Sequence, residues 1–144
     1  MFLLDTNVVS ELMRPSPEPK VRTWLDGQVT ADVWISAITV GEIRLGLALL
    51  PDGRRKRRLS DLAELMFREE FGDRCLPYDV LASADYAQIV AARRRRGRPI
   101  SVEDAQIAAI ARSASLTIAT RNAKHFAGIE GLSVVNPWEP ATSR

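Results

Sequence analysis

The sequence has very few residues of the types that bind soft metal ions or form disulfide bonds. Its 144 residues include one cysteine, Cys75, and one histidine, His125. A single cysteine excludes an internal disulfide and fits a reducing cytosol. Because zinc sites are built mainly from cysteine and histidine, a zinc site is not expected either.

Long apolar runs are also missing. The strongest candidate, from Ile35 to Leu50, is interrupted by Glu42 and Arg44, whereas a transmembrane helix needs about 20 apolar residues. No basic region precedes the apolar run at the start of the chain, so we expect no signal peptide. Internal repeats and low-complexity linkers are absent as well. These absences predict a soluble cytoplasmic protein with no membrane contact.

The composition fits one ordinary globular domain, with 46% hydrophobic and 26% charged residues. The net charge is only +2, and 17 of the 20 basic residues are arginine. Arginine binds phosphate well because its planar guanidinium donates two hydrogen bonds at once. A genome rich in arginine codons explains the same bias equally well.

Short apolar runs alternate with helical patterns along the chain. The strand candidates are residues 2–4, 33–36, 74–79, 116–119 and 132–135. The helical patterns cover residues 8–13, 20–26, 38–49, 54–71, 80–95 and the stretch around 104–114. Pro77 indicates that the third strand lies at an edge. This alternation predicts an α/β fold with one domain over residues 1–138, a central parallel sheet of about five strands flanked by helices, and a C-terminal tail over residues 139–144.

Three carboxylates occupy informative positions. Asp5 follows the first apolar run, where open parallel sheets bind their ligands. Glu42 is expected in the first turn of the helix after the second strand. Asp104 is expected in the first turn of a later helix, on the same face as the apolar Ile107 and Ala108. We therefore expect the three side chains to meet beyond the strand ends.

Capping is the alternative interpretation of these acids. Thr39–Glu42 and Ser101–Asp104 both have the spacing of a capping box, and Asp5 alone fits a turn. Capping explains each acid separately, but it does not explain why all three fall where such a sheet gathers ligands. An all-oxygen cluster of this kind suits a hard cation such as Mg²⁺ or Mn²⁺.

Four blocks of sequence resemble the motifs of the PIN domain, most closely those of VapC- and FitB-type toxins. The blocks are Leu3–Asn7, Ser36–Glu42, Asp104–Ala108 and Thr120–Asn122. They occur in the family's order and spacing, and the resemblance extends from Met1 to about Trp138. It implies a parallel-sheet, metal-dependent endoribonuclease that hydrolyses RNA phosphodiester bonds, forms a homodimer and is inhibited by a small antitoxin protein.

The resemblance also implies roles for particular residues. Asp5, Glu42 and Asp104 match the family's acidic positions and are the expected catalytic and metal-binding residues. Asn122 stands where a fourth acid is often found, which puts a second metal site in doubt. Asn122 is also counted among the expected catalytic residues, and Thr6 and Asn122 are expected to orient substrate, water or another ligand.

Two alternative functions are compatible with parts of the sequence. One is a PIN-like module that binds RNA or protein with little or no nuclease activity. The other, a phosphotransferase of the haloacid dehalogenase type, requires a second aspartate where this chain has Asn7. His125 is interpreted as a surface or packed residue rather than a general base. The basic runs 54–58 and 93–96 are candidates for holding an RNA backbone, but a solvated face or a subunit contact explains them as well.

Overall fold

The apolar run at the start of the chain forms the central strand of a parallel sheet in a computed structural model, which describes residues 1–139. The strands are β1 (Phe2–Leu4), β2 (Val33–Ser36), β3 (Cys75–Leu76), β4 (Thr117–Ala119) and β5 (Val134–Val135). The helices are α1 (Thr6–Leu12), α2 (Pro19–Asp26), α3 (Ala37–Ala48), α4 (Arg54–Leu65), α5 (Val80–Arg95), α6 (Val102–Ser113) and α7 (Ala123–Phe126).

The sheet order explains where a ligand site can form. The five strands are parallel and run β3–β2–β1–β4–β5 across the sheet. The order therefore reverses between β1 and β4, which pair directly through Leu3 and Ile118. At such a reversal the connections on either side leave in opposite directions and open a crevice beyond the strand ends. The predicted α/β fold with a parallel sheet of about five strands is confirmed.

Alternating side chains of the strands build a core layer on each face of the sheet. Leu3 and Ile118 point to the layer formed mainly by α5 and α6, where Ile89, Ile107 and Ile110 are buried. Leu4 and Ala119 point to the other face, which is covered by α1, α2 and α4. Because both faces are covered, short continuous apolar runs are the expected strand sequences.

Several predicted boundaries are refined by the structure. The third strand is confined to Cys75–Leu76 and lies at the sheet edge, as Pro77 predicted. The helix predicted over 54–71 ends as α4 at Leu65 and continues as a π-helical turn over Met66–Glu70. The sequence pattern missed α7 because four residues are too few to show a helical period. Apart from Glu139, the predicted C-terminal tail lies outside the described residues.

Within residues 1–139, no helix is both long enough and apolar enough to cross a membrane.

The arginine run at the end of α5 is divided between two roles. Arg93 is buried, and its guanidinium donates hydrogen bonds to the carbonyl oxygens of His125 and Ala127 at 2.7 and 3.1 Å. Arg96 donates similarly to Gly128 at 3.0 Å. The two side chains therefore anchor the segment after β4, whereas Arg94 and Arg95 are exposed.

Arg93→Ala is expected to destabilise the protein by about 2–4 kcal/mol, because two hydrogen bonds from a buried charged group are lost at once. Urea unfolding followed by circular dichroism measures the change. Arg95→Ala removes the same charge from an exposed position and is expected to change stability by less than about 0.5 kcal/mol. Equal effects of the two substitutions would contradict the anchoring role of Arg93.

Candidate active site

Asp5 lies where β1 ends and α1 begins, and only 5% of the residue is exposed. Its Oδ1 accepts a hydrogen bond from the backbone N–H of Thr6 at 2.8 Å. Its Oδ2 accepts from the hydroxyl of Thr120 at 2.7 Å and from the amide of Asn7 at 3.2 Å. A buried carboxylate is costly without such donors, so these three residues allow Asp5 to occupy the crevice.

Thr120 and Asn7 join the two strands at which the sheet order reverses. Thr120 follows β4 and is fully buried, and its hydroxyl also accepts from Asn7 Nδ2 at 3.2 Å and from the backbone N–H of Asn122 at 3.0 Å. The Oδ1 of Asn7 accepts from the backbone N–H of Arg121 at 3.1 Å. The start of α1 and the segment after β4 therefore hold each other in place around Asp5.

Glu42 lies in the second turn of α3, and its predicted place in the first turn is wrong. The helix starts at Ala37, and its N-cap is Ser36, whose hydroxyl accepts from the backbone N–H of Thr39 at 3.1 Å. The capping box considered for Thr39 and Glu42 is therefore not formed. Since the Glu42 carboxylate does not cap its own helix, it is available to the crevice.

A short chain of hydroxyl groups holds Glu42. The Thr6 hydroxyl donates to Glu42 Oε1 at 2.7 Å, and Thr6 Oγ1 lies 3.1 Å from the hydroxyl oxygen of buried Thr39. Because a hydroxyl has only one proton to donate, Thr39 must donate to Thr6 while Thr6 donates to Glu42. Thr6 thus orients a carboxylate of the groove, and its predicted role in orienting substrate or water stays a prediction.

Asp104 is the third residue of α6, as predicted. Its backbone N–H donates to the hydroxyl of the N-cap Ser101 at 3.2 Å, which is half of a capping box. The carboxylate does not complete the box, because its Oδ2 lies 3.0 Å from Nδ1 of His125. His125 is exposed, as the surface interpretation predicted, yet its ring also contacts a predicted site residue.

The predicted site residues share one groove. Asp5, Thr6, Glu42, Asp104 and Asn122 all line an open groove of about 540 Å³ at the carboxyl ends of the strands, which we call the central groove. Asn122 is exposed at the start of α7. The sequence positions are far apart, so only the fold brings these side chains together.

Burial and like charge both act on Asp5. Burial raises the pKa of the Asp5 carboxyl above its ordinary value, and the hydrogen bonds from Thr120 and Thr6 offset only part of that increase. The negative charge of Asp104 raises the pKa further. The neutral form of Asp5 is therefore favoured relative to an aspartate in water.

Glu42 experiences the same effects. Burial raises the pKa of its carboxyl, the hydrogen bond from Thr6 lowers it, and the charges of Asp5, Asp104 and Glu103 raise it again. Every charge that acts appreciably on Glu42 is another carboxylate. The central groove thus concentrates negative charge, although Arg14 and Arg121 also line it.

The donor chemistry of the central groove fits a hard divalent cation. An ionised carboxylate has about four lone-pair positions. Within the described chain, Glu42 Oε2 and Asp104 Oδ1 accept no hydrogen bond, and Asp5 accepts three. Each acid therefore keeps lone pairs for a cation, and oxygen is the ligand that Mg²⁺ and Mn²⁺ prefer. In residues 1–139, however, no three His, Cys, Asp or Glu side chains converge closely enough to hold one ion.

The sequence did not predict the roles that the side chains of Asn7, Thr120 and His125 have in the site. Asn7 and Thr120 belong to motif blocks, but nothing in their spacing indicates that both donate to Asp5. A polar residue directly after a buried strand was the available signal for Thr120. No sequence signal pairs His125 with Asp104, because the contact depends on how α7 packs against α6.

Comparison with known proteins identifies the family to which the chain belongs. The chain matches the sequence model of the family described as "PIN domain" over residues 2–132. Toxin FitB from Neisseria gonorrhoeae is 45% identical over 96% of this chain and 99% of its own length. VapC ribonuclease Y4jK from Sinorhizobium fredii is 40% identical over 98% of this chain and 100% of its own length.

Solved structures with similar folds include FitAcB from Neisseria gonorrhoeae, with a TM-score of 0.90, 44% identity and coverage of 97% of this chain and 100% of that chain. A toxin–antitoxin complex from Klebsiella pneumoniae has a TM-score of 0.70, 26% identity and coverage of 97% and 100%. The resemblance predicted from the four motif blocks is thereby confirmed, and the chain belongs to the PIN-domain family.

Proposed function

We propose that this protein is an endoribonuclease that depends on Mg²⁺ or Mn²⁺ and serves as the toxin of a toxin–antitoxin pair in the cytoplasm. The observation that supports this most is the central groove, where Asp5, Glu42 and Asp104 repel one another and retain unused lone pairs. In such a groove the three carboxylates would hold a divalent cation, which would supply positive charge for binding a phosphodiester.

The relatives support the choice of substrate and partner. One is named a toxin, another a ribonuclease, and a structural neighbour is a toxin–antitoxin complex. By this similarity we assign RNA as the substrate, a cognate antitoxin protein as the inhibitor and a homodimer as the assembly. The domain itself is assigned to residues 1–138.

In this proposal Asp5 and Asp104 hold the cation, and Glu42 assists them. When bound, the cation lowers the pKa of a water molecule and stabilises the negative charge of the phosphate. Thr6 donates a hydrogen bond to Oε1 of Glu42 and so fixes this carboxylate. The other oxygen, Oε2, takes no part in that bond and is left for the cation. Asn122 is free at the surface of the groove to orient water or a phosphate oxygen.

A second candidate is a PIN-like module that binds RNA or protein with little or no nuclease activity. One observation favours it: the three acids line one groove, yet within residues 1–139 they do not converge into a ligand cluster. The two candidates differ in whether RNA is cut, so a cleavage assay separates them.

Asp104→Asn is expected to lower the rate of RNA cleavage by about 100-fold or more, because a proposed metal ligand loses its charge. Cleavage of a purified RNA pool in Mn²⁺, followed by gel electrophoresis, measures this effect. Chelation with excess EDTA is expected to abolish cleavage by the unmodified protein. Cleavage that persists in EDTA would contradict metal dependence.

Glu130→Gln is the control, because it removes one charge from an exposed position that does not line the central groove. It is expected to leave the cleavage rate within about twofold of wild type. For the toxin role, expression of the unmodified protein without antitoxin should arrest growth, and expression of Asp104→Asn should not. Normal growth in both cases, at equal protein levels, would count against a toxin.

Glu42→Gln is expected to raise the metal-free melting temperature by about 1–3 °C at neutral pH. Glu42 has a raised pKa when folded, so its ionised form destabilises the fold above that pKa, and the penalty disappears as the pH falls below it. The gain over wild type should therefore shrink on acidification. Thermal scans across pH in EDTA measure both effects.

Asp5→Asn removes the same charge but is expected to lower the melting temperature. Both oxygens of Asp5 accept hydrogen bonds, so an amide would turn N–H groups towards the donors of Thr6 or Thr120. Glu42 accepts at Oε1 only, and glutamine can keep that bond. If Glu42→Gln and Asp5→Asn change the melting temperature in the same direction and by the same amount, charge repulsion does not dominate at Glu42 and hydrogen bonding does not dominate at Asp5.

Asn122→Asp is expected to strengthen Mn²⁺ binding by about tenfold, because a carboxylate replaces a neutral amide on the central groove. Isothermal titration calorimetry measures the affinity and the number of ions bound. Asp5→Asn serves as the variant with a disabled site. An unchanged affinity and stoichiometry for Asn122→Asp would mean that residue 122 does not face the bound ion.

A further inference from the structure

Two other grooves adjoin the central groove through shared lining residues, and both carry basic side chains. The first, which we call the α4 groove, has a volume of about 510 Å³ and shares Thr6, Arg14 and Glu42 with the central groove. The second, the α7 groove, has a volume of about 310 Å³ and shares Asp104 with it. A continuous path therefore runs past Glu42, across the carboxylates and past Asp104.

Only part of the basic run at the start of α4 lines the α4 groove. Arg55 and Arg58 line the groove together with apolar residues such as Leu47 and Leu59. They lie three residues apart and so project from the same side of the helix. Arg54 and Arg57 are exposed but do not line the groove.

The α7 groove has an equivalent basic pair. Arg98 and Lys124 are exposed on its walls. Among residues 1–139, no carboxylate lies within ion-pair distance of either side chain, nor of Arg55 or Arg58. Each of the two grooves therefore presents a pair of cations that form no ion pair within residues 1–139, beside the acidic side chains of the central groove. Arg93 also lines the α7 groove, but its guanidinium donates to the carbonyl oxygens of His125 and Ala127.

We propose that these two pairs hold the RNA backbone on either side of the cleaved bond, with Arg55 and Arg58 in the α4 groove and Arg98 and Lys124 in the α7 groove. The inference rests on the proposed nuclease function and extends it to the path of the substrate. The ligand is a single strand whose phosphates meet the cations, while its bases can contact the apolar wall of the α4 groove.

A nucleic-acid strand fits both grooves better than a docked protein does. A chain with one negative charge per nucleotide needs cations before and after the site, and a divalent ion within it. A protein segment that occupies the α4 groove alone would leave Arg98 and Lys124 in the α7 groove without a binding partner. Both basic pairs lie in grooves that adjoin the central groove, so one continuous polyanion accounts for both.

The test compares two groove variants with two matched controls. Arg55→Gln/Arg58→Gln is paired with Arg54→Gln/Arg57→Gln on the same helix. Arg98→Gln/Lys124→Gln is paired with Arg94→Gln/Arg95→Gln at the exposed end of α5. Each variant loses two positive charges, so a difference within a pair reports position and not net charge. Thermal melting verifies that all four variants fold.

Binding of a fluorescein-labelled single-stranded RNA is measured by anisotropy in EDTA over a range of salt concentrations. Each groove variant is expected to raise Kd roughly tenfold and to reduce the slope of log K against log salt by about 1.4, which corresponds to two phosphate contacts on a single strand. The controls should stay within about twofold of wild type. In Mn²⁺, the groove variants should raise KM and leave kcat nearly unchanged.

The possible outcomes are distinct. Equal losses in a groove variant and its control would overturn the path, because a diffuse positive field would then explain binding. Unchanged RNA binding by Arg55→Gln/Arg58→Gln, with loss of binding to a co-expressed antitoxin, would assign the α4 groove to a protein and also overturn it. If wild type binds RNA through both pairs but cuts nothing in any divalent cation, the path stands and the proposed nuclease function fails.

Discussion

The candidate site depends on keeping one carboxylate buried where the sheet order reverses. Asp5 lies between β1 and β4 with almost no exposure, so its oxygens must find donors within the protein. Thr120 supplies one from the segment after β4, and Thr6 supplies another from the start of α1. The bond from Thr120 connects the two halves of the sheet, so the constraint that places the acid also aligns the elements around it.

The same site is not arranged for maximal stability. Burial and neighbouring acids raise the pKa values of Asp5 and Glu42, so their ionised forms are held at a cost. The hydroxyl chain from Thr39 through Thr6 satisfies one oxygen of Glu42 and leaves the other unbonded within residues 1–139. Repulsion that is incompletely relieved is typical of sites that await a cation. Asp5 is also the N-cap of α1, so the capping interpretation is correct for this residue, but capping does not explain why the other two acids lie on the same groove.

The basic residues show how the fold assigns different tasks to similar side chains. Within the run at the end of α5, Arg93 is buried and anchors the segment that carries His125, whereas Arg95 faces solvent. Within the run at the start of α4, Arg55 and Arg58 face a groove, and Arg57 does not. Runs of like charge in the sequence therefore mix structural anchors, groove residues and solvated residues.

The sequence by itself determined the fold class, most elements and the three acids, because apolar periodicity and strand-end position are local properties of the chain. It placed Glu42 one helical turn too early, since Thr39 and Ser36 are both good caps and only backbone geometry distinguishes them. The tertiary structure alone decided which hydroxyl donates to which acid, that His125 reaches Asp104, and which arginines enter a groove. Those contacts join residues far apart in the chain, and their existence depends on how helices pack around the sheet, which no local pattern records.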